Sequence, residues 1–520
     1  DVAFAYTDGD RTQPNMAAGS AARGLIRLGL TYKGAFMWKM QAGMGDTIFS
    51  PFYEVLKGRG VHFKFFHWVT NLGLSKDKKF VDSIDVVEQV KLNVAEYNPL
   101  VTVKDLPCWP SEPKWQQIEH GEKLRKQGVN LEETPNPLNH KPTTLKRGED
   151  FDSVLLGISV AALPAITKEM INDTKNPRFK AMIDNSATVQ TQAFQLWMNQ
   201  DLVQGLKWKF NQNSVAGTYV EPLDTYCDMS HLISRENWPP QYNLDSIAYF
   251  CGVLKDKKDK PEETQESADK DVHKNAINFI KNDAHGIWPA AQLKDFNWDW
   301  LIDPKNQAGS KRFDSQYWRA NFQPTERYVI TPAGSVQYRL KTDESGYANL
   351  YLTGDWIKNG FDLGCVEAAV MSGMMTSRAI CGSPDYIIGE FDDWLISNPP
   401  NIVRVPTQQE LSPQPGNYVE YGGRTTTAPM PGYCRDVDLN CFILEADYAK
   451  LKALTDRVFR IPTRSRIQYI PISKYVMMSI GSLGNISSMV DPFHNMGYVH
   501  ELQVSFWVMT ARVRPLGSGY

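Results

Sequence analysis

The chain has 520 residues, a formal charge of −3 and 42% apolar side chains, so it is too long for one ordinary core and predicts either two domains or one large interleaved domain with a smaller one. Its balanced charge excludes an extended nucleic-acid surface and a polybasic membrane anchor. No apolar run is long enough to span a membrane and no signal peptide opens the sequence.

Residues 17–30 carry apolar side chains at helical spacing and predict a helix. The apolar, glycine-rich run Tyr32–Gly45 leads into a second predicted helix over Asp46–Arg59, with Asp46 as N-cap and Gly60 at its end. Val61–Val69 is aromatic and partly alternating, which predicts a strand; His62 and His67 would then face opposite sides and form no metal pair. Residues 97–148 are rich in Pro, Lys and Glu and read as an irregular excursion or lid. Phe151–Val160 predicts a short buried strand, and Ala161–Met170 opens a helix. The mixed-charge run Lys255–Lys274 reads as a solvated loop entering a helix. Residues 347–353 predict a strand, Gly354–Gly364 a turn and Cys365–Ile380 a helix. Proline-rich residues 385–417 mark a domain boundary. From 440 onward CFILEA, IQYIPI, YVMMSIGS and HELQVSFWVMTARV predict a smaller, mostly β domain. The seven cysteines form no CxxC and read as reduced thiols of a cytoplasmic protein.

The chemistry concentrates at 350–381. Gly354 lets the backbone pass close to a bulky group, and Asp355 follows at the carboxyl end of a strand, where ligands collect in open α/β sheets. After Gly364 a helix starts near Cys365, and its free amides suit a phosphate or a flavin carbonyl. Ala368 and Ala369 keep the first turn slim, and Gly373 would permit close helix–sheet packing. On spacing alone an ordinary strand–loop–helix crossover is the commoner reading of such a pattern.

The string LYLTGDWIKNGFDLGCVEAAVMSG resembles the C-terminal FAD signature of the amine oxidase and phytoene desaturase superfamily. The resemblance implies that Gly354 and Asp355 approach the pyrophosphate and ribityl chain, and that Trp356 lies near the isoalloxazine. It further implies that Gly364 and Cys365 deliver the helix whose Val366 amide meets the flavin's pyrimidine edge. QAGMGDTIFSPFYEVLKGRGVHFKFFHWVTNL resembles the family's Gly-Gly-Met segment with its helix and strand, and places Gly43 and Met44 near the flavin; Gln41 and Ala42 precede them, so only one Gly of the pair matches. FDSVLLGISVAALPAI resembles the strand by which the fold returns to its FAD domain. The implied fold class is an α/β FAD-binding, glutathione-reductase-like domain interleaved with an α+β substrate domain, followed by a C-terminal β-rich domain. The FAD-binding parts would be 1–75, 149–200 and 346–385, with an insertion at 76–148, a substrate domain at 201–345 and a linker at 386–417.

The family's N-terminal GxGxxG unit is not found: Gly43-x-Gly45 lacks the third glycine, and Gly19 and Gly24 are wrongly spaced. With no Met at position 1, the expectation is that the chain begins after that unit and binds FAD weakly by itself, the alternatives being that another polypeptide supplies the unit or that FAD is not held. Lys39 could approach flavin N5 through water, although a lysine snorkelling from an apolar segment explains it more simply. The eight aromatics Trp197, Trp208, Trp238, Tyr242, Trp288, Trp298, Trp300 and Trp318 could line an apolar cavity, most of them being core. Residues 418–520 resemble the N-terminal half of the acetoacetate decarboxylase fold, with Glu501 at an acidic active-site position and Arg435 near the family's arginine. The Schiff-base lysine that follows in that family has no counterpart before Tyr520. The expected function is an FAD-dependent oxidoreductase acting on an apolar or amine-like small molecule. The alternatives are a non-catalytic flavoprotein-derived scaffold subunit and a bifunctional oxidoreductase/decarboxylase-like protein. No metal and no nucleic acid are expected, and a homo- or hetero-oligomer is compatible with the sequence.

Overall fold

The structure is a computed structural model that describes residues 5–30, 38–133, 138, 140–210, 212, 214–218, 220–257, 263–385, 387–390, 432–461, 468–488 and 499–513. The chain divides into two units, Asp1–Glu390 and Phe391–Tyr520.

The first unit is organised by an antiparallel sheet whose central strand is Thr188–Met198. Its sequence TVQTQAFQLWM turns Gln192, Phe194, Leu196 and Met198 to one buried face, the period-two pattern of a half-covered strand. Ser246–Leu254 pairs along one edge from Met198 to Gln190, and Tyr317–Asn321 along the other. The buried Gln192 is satisfied on both ends: its Nε2 donates to Val253 O at 2.6 Å and its Oε1 accepts from Asn275 Nδ2 at 3.0 Å. The helix Gln265–Asn282 covers this face with Ala268, Val272, Ala276, Phe279 and Ile280, the spacing of one helical stripe. Thr264 and Ser267 form a reciprocal capping box at its start, so the mixed-charge run does enter a helix as the sequence suggests. Thr264→Ala is expected to cost about 1 kcal/mol, read as a lower urea midpoint with an unchanged slope.

A second core gathers around a short parallel pair, Val154–Leu156 and Leu350–Leu352, with Phe179, Leu163, Met170 and Trp356 packed on it. Beside it lies a three-stranded antiparallel sheet of His67–Leu74, Val81–Glu88 and Thr143–Lys146.

Three sequence expectations change here. The predicted strand at 61–69 starts only at His67, and Phe66 has φ +57°. The aromatic run is explained by a ring cluster: Phe63 and Phe65 stack at 6.1 Å, and Phe65 meets Tyr97 at 5.3 Å. His62 therefore lies outside the strand. Asp46 is not an N-cap; it lies inside the helical turn and its Oδ1 accepts from the Trp109 amide at 2.8 Å. The segment 97–148 is only partly irregular. It contains the hairpin Val101–Val103/Leu106–Cys108, contributes Thr143–Lys146 to a sheet, and packs Trp115 and Ile118 with the preceding Val90 in a small core.

The second unit is an antiparallel meander of Gly432–Glu445, Tyr469–Ser488 and Val499–Arg512, with the helix Tyr448–Thr455 after the first strand. Asp447 caps that helix by accepting the Lys450 amide at 3.0 Å. Among the described residues no helix is long and apolar enough to cross a membrane.

Candidate functional site

The strand Leu350–Leu352 ends beside Leu156, where the Thr353 amide donates to Leu156 O at 3.0 Å. The chain then turns at Gly354, whose φ of +137° an L side chain rarely adopts. A Cβ there would lie 2.5 Å from the indole Nε1 of Trp356. The bulky group that Gly354 accommodates is thus the chain's own tryptophan. The Gly354 amide donates to Ser372 Oγ at 2.7 Å, and Ser372 donates in turn to Ala369 O at 2.7 Å. Ser372 therefore fastens the turn to the helix Val366–Cys381. That helix begins one residue later than predicted, with Cys365 extended at the N-cap and making no side-chain cap bond.

Trp356 is 2% exposed and belongs to the core around the parallel pair. Its Nε1 has no hydrogen-bond partner, an exception that buried polar atoms seldom show. Gly364 passes against the neighbouring strand, where a Cβ would meet Val329 O at 2.6 Å and the Tyr328 ring at 2.7 Å. Val366 is exposed at the first helical position. Gly373 does not serve close packing: a Cβ there meets nothing within 4 Å.

Asp355 faces this helix start. Burial raises its carboxyl to about 6, with the Arg339 charge opposing the rise. Arg339 is itself buried, and its donors are spent on backbone and hydroxyl oxygens: Asp355 O at 2.8 Å, Ile357 O at 3.4 Å and Thr331 Oγ1 at 2.8 Å. Burial also lifts the Cys365 thiol to about 11, so it stays protonated at neutral pH and is no nucleophile. Burial raises the Tyr328 phenol too, with Cys365, Asp355 and Glu367 adding to it. The group thus offers open amides, a weakly held carboxyl and an unspent indole N–H, and no activated side-chain nucleophile. It suits holding a polar ring edge better than covalent attack.

The structure brings Gly354, Asp355, Trp356, Gly364, Cys365 and Val366 together on one strand–turn–helix. Gly43 and Met44 are held by other neighbours. Gly43 O accepts from the Asp46 and Thr47 amides at 2.9 and 3.0 Å, Met44 is exposed, and the following Gly45 packs on Trp109. Lys39 donates to Asp228 O, and burial lowers its ammonium pKa. The tryptophans serve mainly as core: Trp208 and Trp288 are buried under the six-stranded sheet, with Trp298, Trp300 and Trp318 packed against that cluster. Arg339, Tyr328 and Ser372 were not expected at the site. Ser372, a polar residue on the buried face of the helix with Ala368 and Met371, carried a signal; Arg339 carried none.

No protein-family model matches the chain, and no curated protein matches it. Solved structures that match include a crystal structure of an oxidoreductase from Methanosarcina mazei, 11% identical with a TM-score of 0.35, over 62% of this chain and 52% of that one. The chain thus spans about half the length of that neighbour.

In the second unit, Arg435 lies opposite Asn485 and Glu501 opposite Leu483 in the strand register. Their side chains lie outside the described residues, as does all of His494. Among the described residues no group of three His, Cys, Asp or Glu side chains could hold a metal ion, and the six described cysteines are free.

Proposed function

We propose that this chain is an FAD-dependent oxidoreductase of the amine oxidase and phytoene desaturase type, acting on an apolar or amine-like small molecule in the cytoplasm. In this reading the parallel pair belongs to a glutathione-reductase-like FAD-binding domain, and the six-stranded antiparallel sheet to the substrate domain. The observation that carries it is the junction at Gly354–Val366, where a strand end, a helix start without a side-chain cap and an unpartnered buried indole N–H converge. These residues fit the ring end of a flavin: helix amides suit the carbonyl edge, and their partial positive charge favours the electron-rich reduced form.

A bound flavin supplies two-electron redox chemistry that side chains do not. The chain's residues would position and insulate it. Val366 and Glu367 amides would orient the ring edge, Ser372 would fix the turn through Gly354, and Arg339 would balance Asp355. The packing of Trp356 and Ile357 would keep water from the turn behind it.

Val366→Pro tests this directly. Proline is tolerated at the first helical position, and Cys365 already has the extended backbone that must precede it, at φ −162° and ψ 160°. The substitution removes the amide proton and exchanges an exposed isopropyl group for the proline ring. FAD titrated into the full chain and followed by flavin fluorescence should saturate, with affinity reduced about tenfold in Val366→Pro. A parent chain that binds no flavin would sink the reading.

A further inference from the structure

The segments Gly45–Phe49 and Ser50–Gly58 run on as one helical stretch. It places Phe49, Phe52, Tyr53 and Leu56 at positions i, i+3, i+4 and i+7, which is one helix face. Such a face is ordinarily covered by core. Here only Tyr53 of the four is buried; Phe49 is 55% exposed, Phe52 54% and Leu56 39%. Phe63 and Trp109, from two other parts of the chain, complete the lining of a cavity of about 470 Å³. That volume lies within the range of small-molecule sites.

The walls are fixed by specific contacts. The Trp109 amide donates to Asp46 Oδ1 at 2.8 Å, and Gly45 admits the tryptophan, since a Cβ at Gly45 would lie 3.0 Å from Trp109 Cβ. The Tyr53 ring meets Phe63 at 4.8 Å and 61°, and Trp109 at 5.7 Å and 89°, the edge-to-face arrangement that aromatic rings prefer. No charged side chain lines the cavity. Lys57, 5.7 Å from the centre of the Tyr53 ring, is paired with Glu96 at 2.8 Å. A charged group entering here would lose its hydration and gain no partner. Phe49, Phe52, Leu56 and Trp109, the last 37% exposed, leave roughly 400 Å² of these walls open. A stable protein interface needs about 800 Å² per partner, so the open walls match a small molecule better than a second copy of the chain.

We propose that this cavity binds a neutral, apolar small molecule with a planar ring, held against Phe49, Phe52, Phe63 and Trp109. Ring faces and edges of fixed orientation favour an aromatic guest over a flexible chain. The site does not rest on the flavin reading and uses none of the residues at Gly354–Val366.

Titration of the full chain with N-phenyl-1-naphthylamine, a neutral ring compound whose fluorescence rises in apolar surroundings, tests it. A saturable component is expected. The same rings bearing a sulfonate, 8-anilinonaphthalene-1-sulfonate, should bind there at least about tenfold more weakly. Leu56→Trp should fill the cavity and abolish the saturable component while the urea midpoint holds or rises. Phe52→Asp, at an exposed position, should weaken it at least about tenfold by placing a carboxylate on an apolar wall. Phe506→Ser removes an exposed ring from the second unit and should leave it at parent strength. Parent-like affinity in either cavity variant, loss in Phe506→Ser, equal affinity for the sulfonate, or no saturation would overturn the proposal. A dimer in sedimentation that Phe52→Asp dissociates, or attachment to phosphatidylcholine vesicles that Phe52→Asp abolishes, would overturn it too, because a second copy or a bilayer would then cover these walls.

Discussion

Gly354→Ala is expected to destabilise the first unit by about 2–4 kcal/mol, summing an overpacked contact and a residue forced into a glycine-type conformation. The new Cβ would stand 2.5 Å from Trp356 Nε1 and 2.8 Å from its Cδ1. That ring cannot swing aside, because it is buried in the second core. Relief must come from the backbone, which would pull the Gly354 amide from Ser372 Oγ. Urea unfolding followed by tryptophan fluorescence would show the lower midpoint. Gly373→Ala, beside Ser372 on the helix Val366–Cys381 and with open space at its Cβ, is the control and should be neutral or stabilising by up to about 1 kcal/mol. Equal losses in the two variants would contradict the account of the turn.

The second large effect depends on pH. Asp355 has its carboxyl raised by burial from 3.8 to about 6. As pH rises past about 4 the unfolded chain releases this proton while the folded chain keeps it, so stability falls between about pH 4 and 6 and then levels off. A shift of this size corresponds to at most about 3 kcal/mol. Asp355→Asn should therefore add about 1–3 kcal/mol above pH 6 and almost nothing below pH 4. Urea midpoints at a series of pH values would reveal this, and a gain independent of pH would show that the carboxyl's charge is not the cause. A carboxyl retained at such cost has the character of a functional group.

The strand–turn–helix at 350–381 was legible because its signals are local. Alternating Leu-Tyr-Leu, a glycine, and an apolar helical stripe each specify their own conformation, and the helix start was read to within one residue. The strand at Val61–Val69 was misread because aromatic residues mark a pleated strand and a ring cluster equally well; Phe63 and Phe65 serve Tyr53, Tyr97 and Trp109. The irregular reading of 97–148 failed where Thr143–Lys146 borrows its strand character from Val81–Glu88, a partner distant in sequence. Arg339 was invisible for the same reason: its role lies in the carbonyls it reaches across the fold, and no spacing records that. Gly354 was rightly singled out for a close approach, and the group that approaches it is the chain's own Trp356, two residues away.

The register that aligns Val154 with Leu350 also fixes an order of events. Between these strands lies the whole six-stranded sheet with its covering helix, so the pair closes a very long loop, and long-range parallel pairing is among the slowest steps available to a chain. The Gly354 turn depends on that pairing for its position, whereas the hairpins and helices of the sheet use nearer neighbours. During synthesis the sheet can therefore assemble while Leu350 is still inside the ribosome, and the turn becomes structured only once the far strand has emerged. A nascent chain halted before Tyr347 would hold a folded sheet beside an unmatched Val154–Leu156 edge, an exposed apolar strand that invites association until its partner arrives.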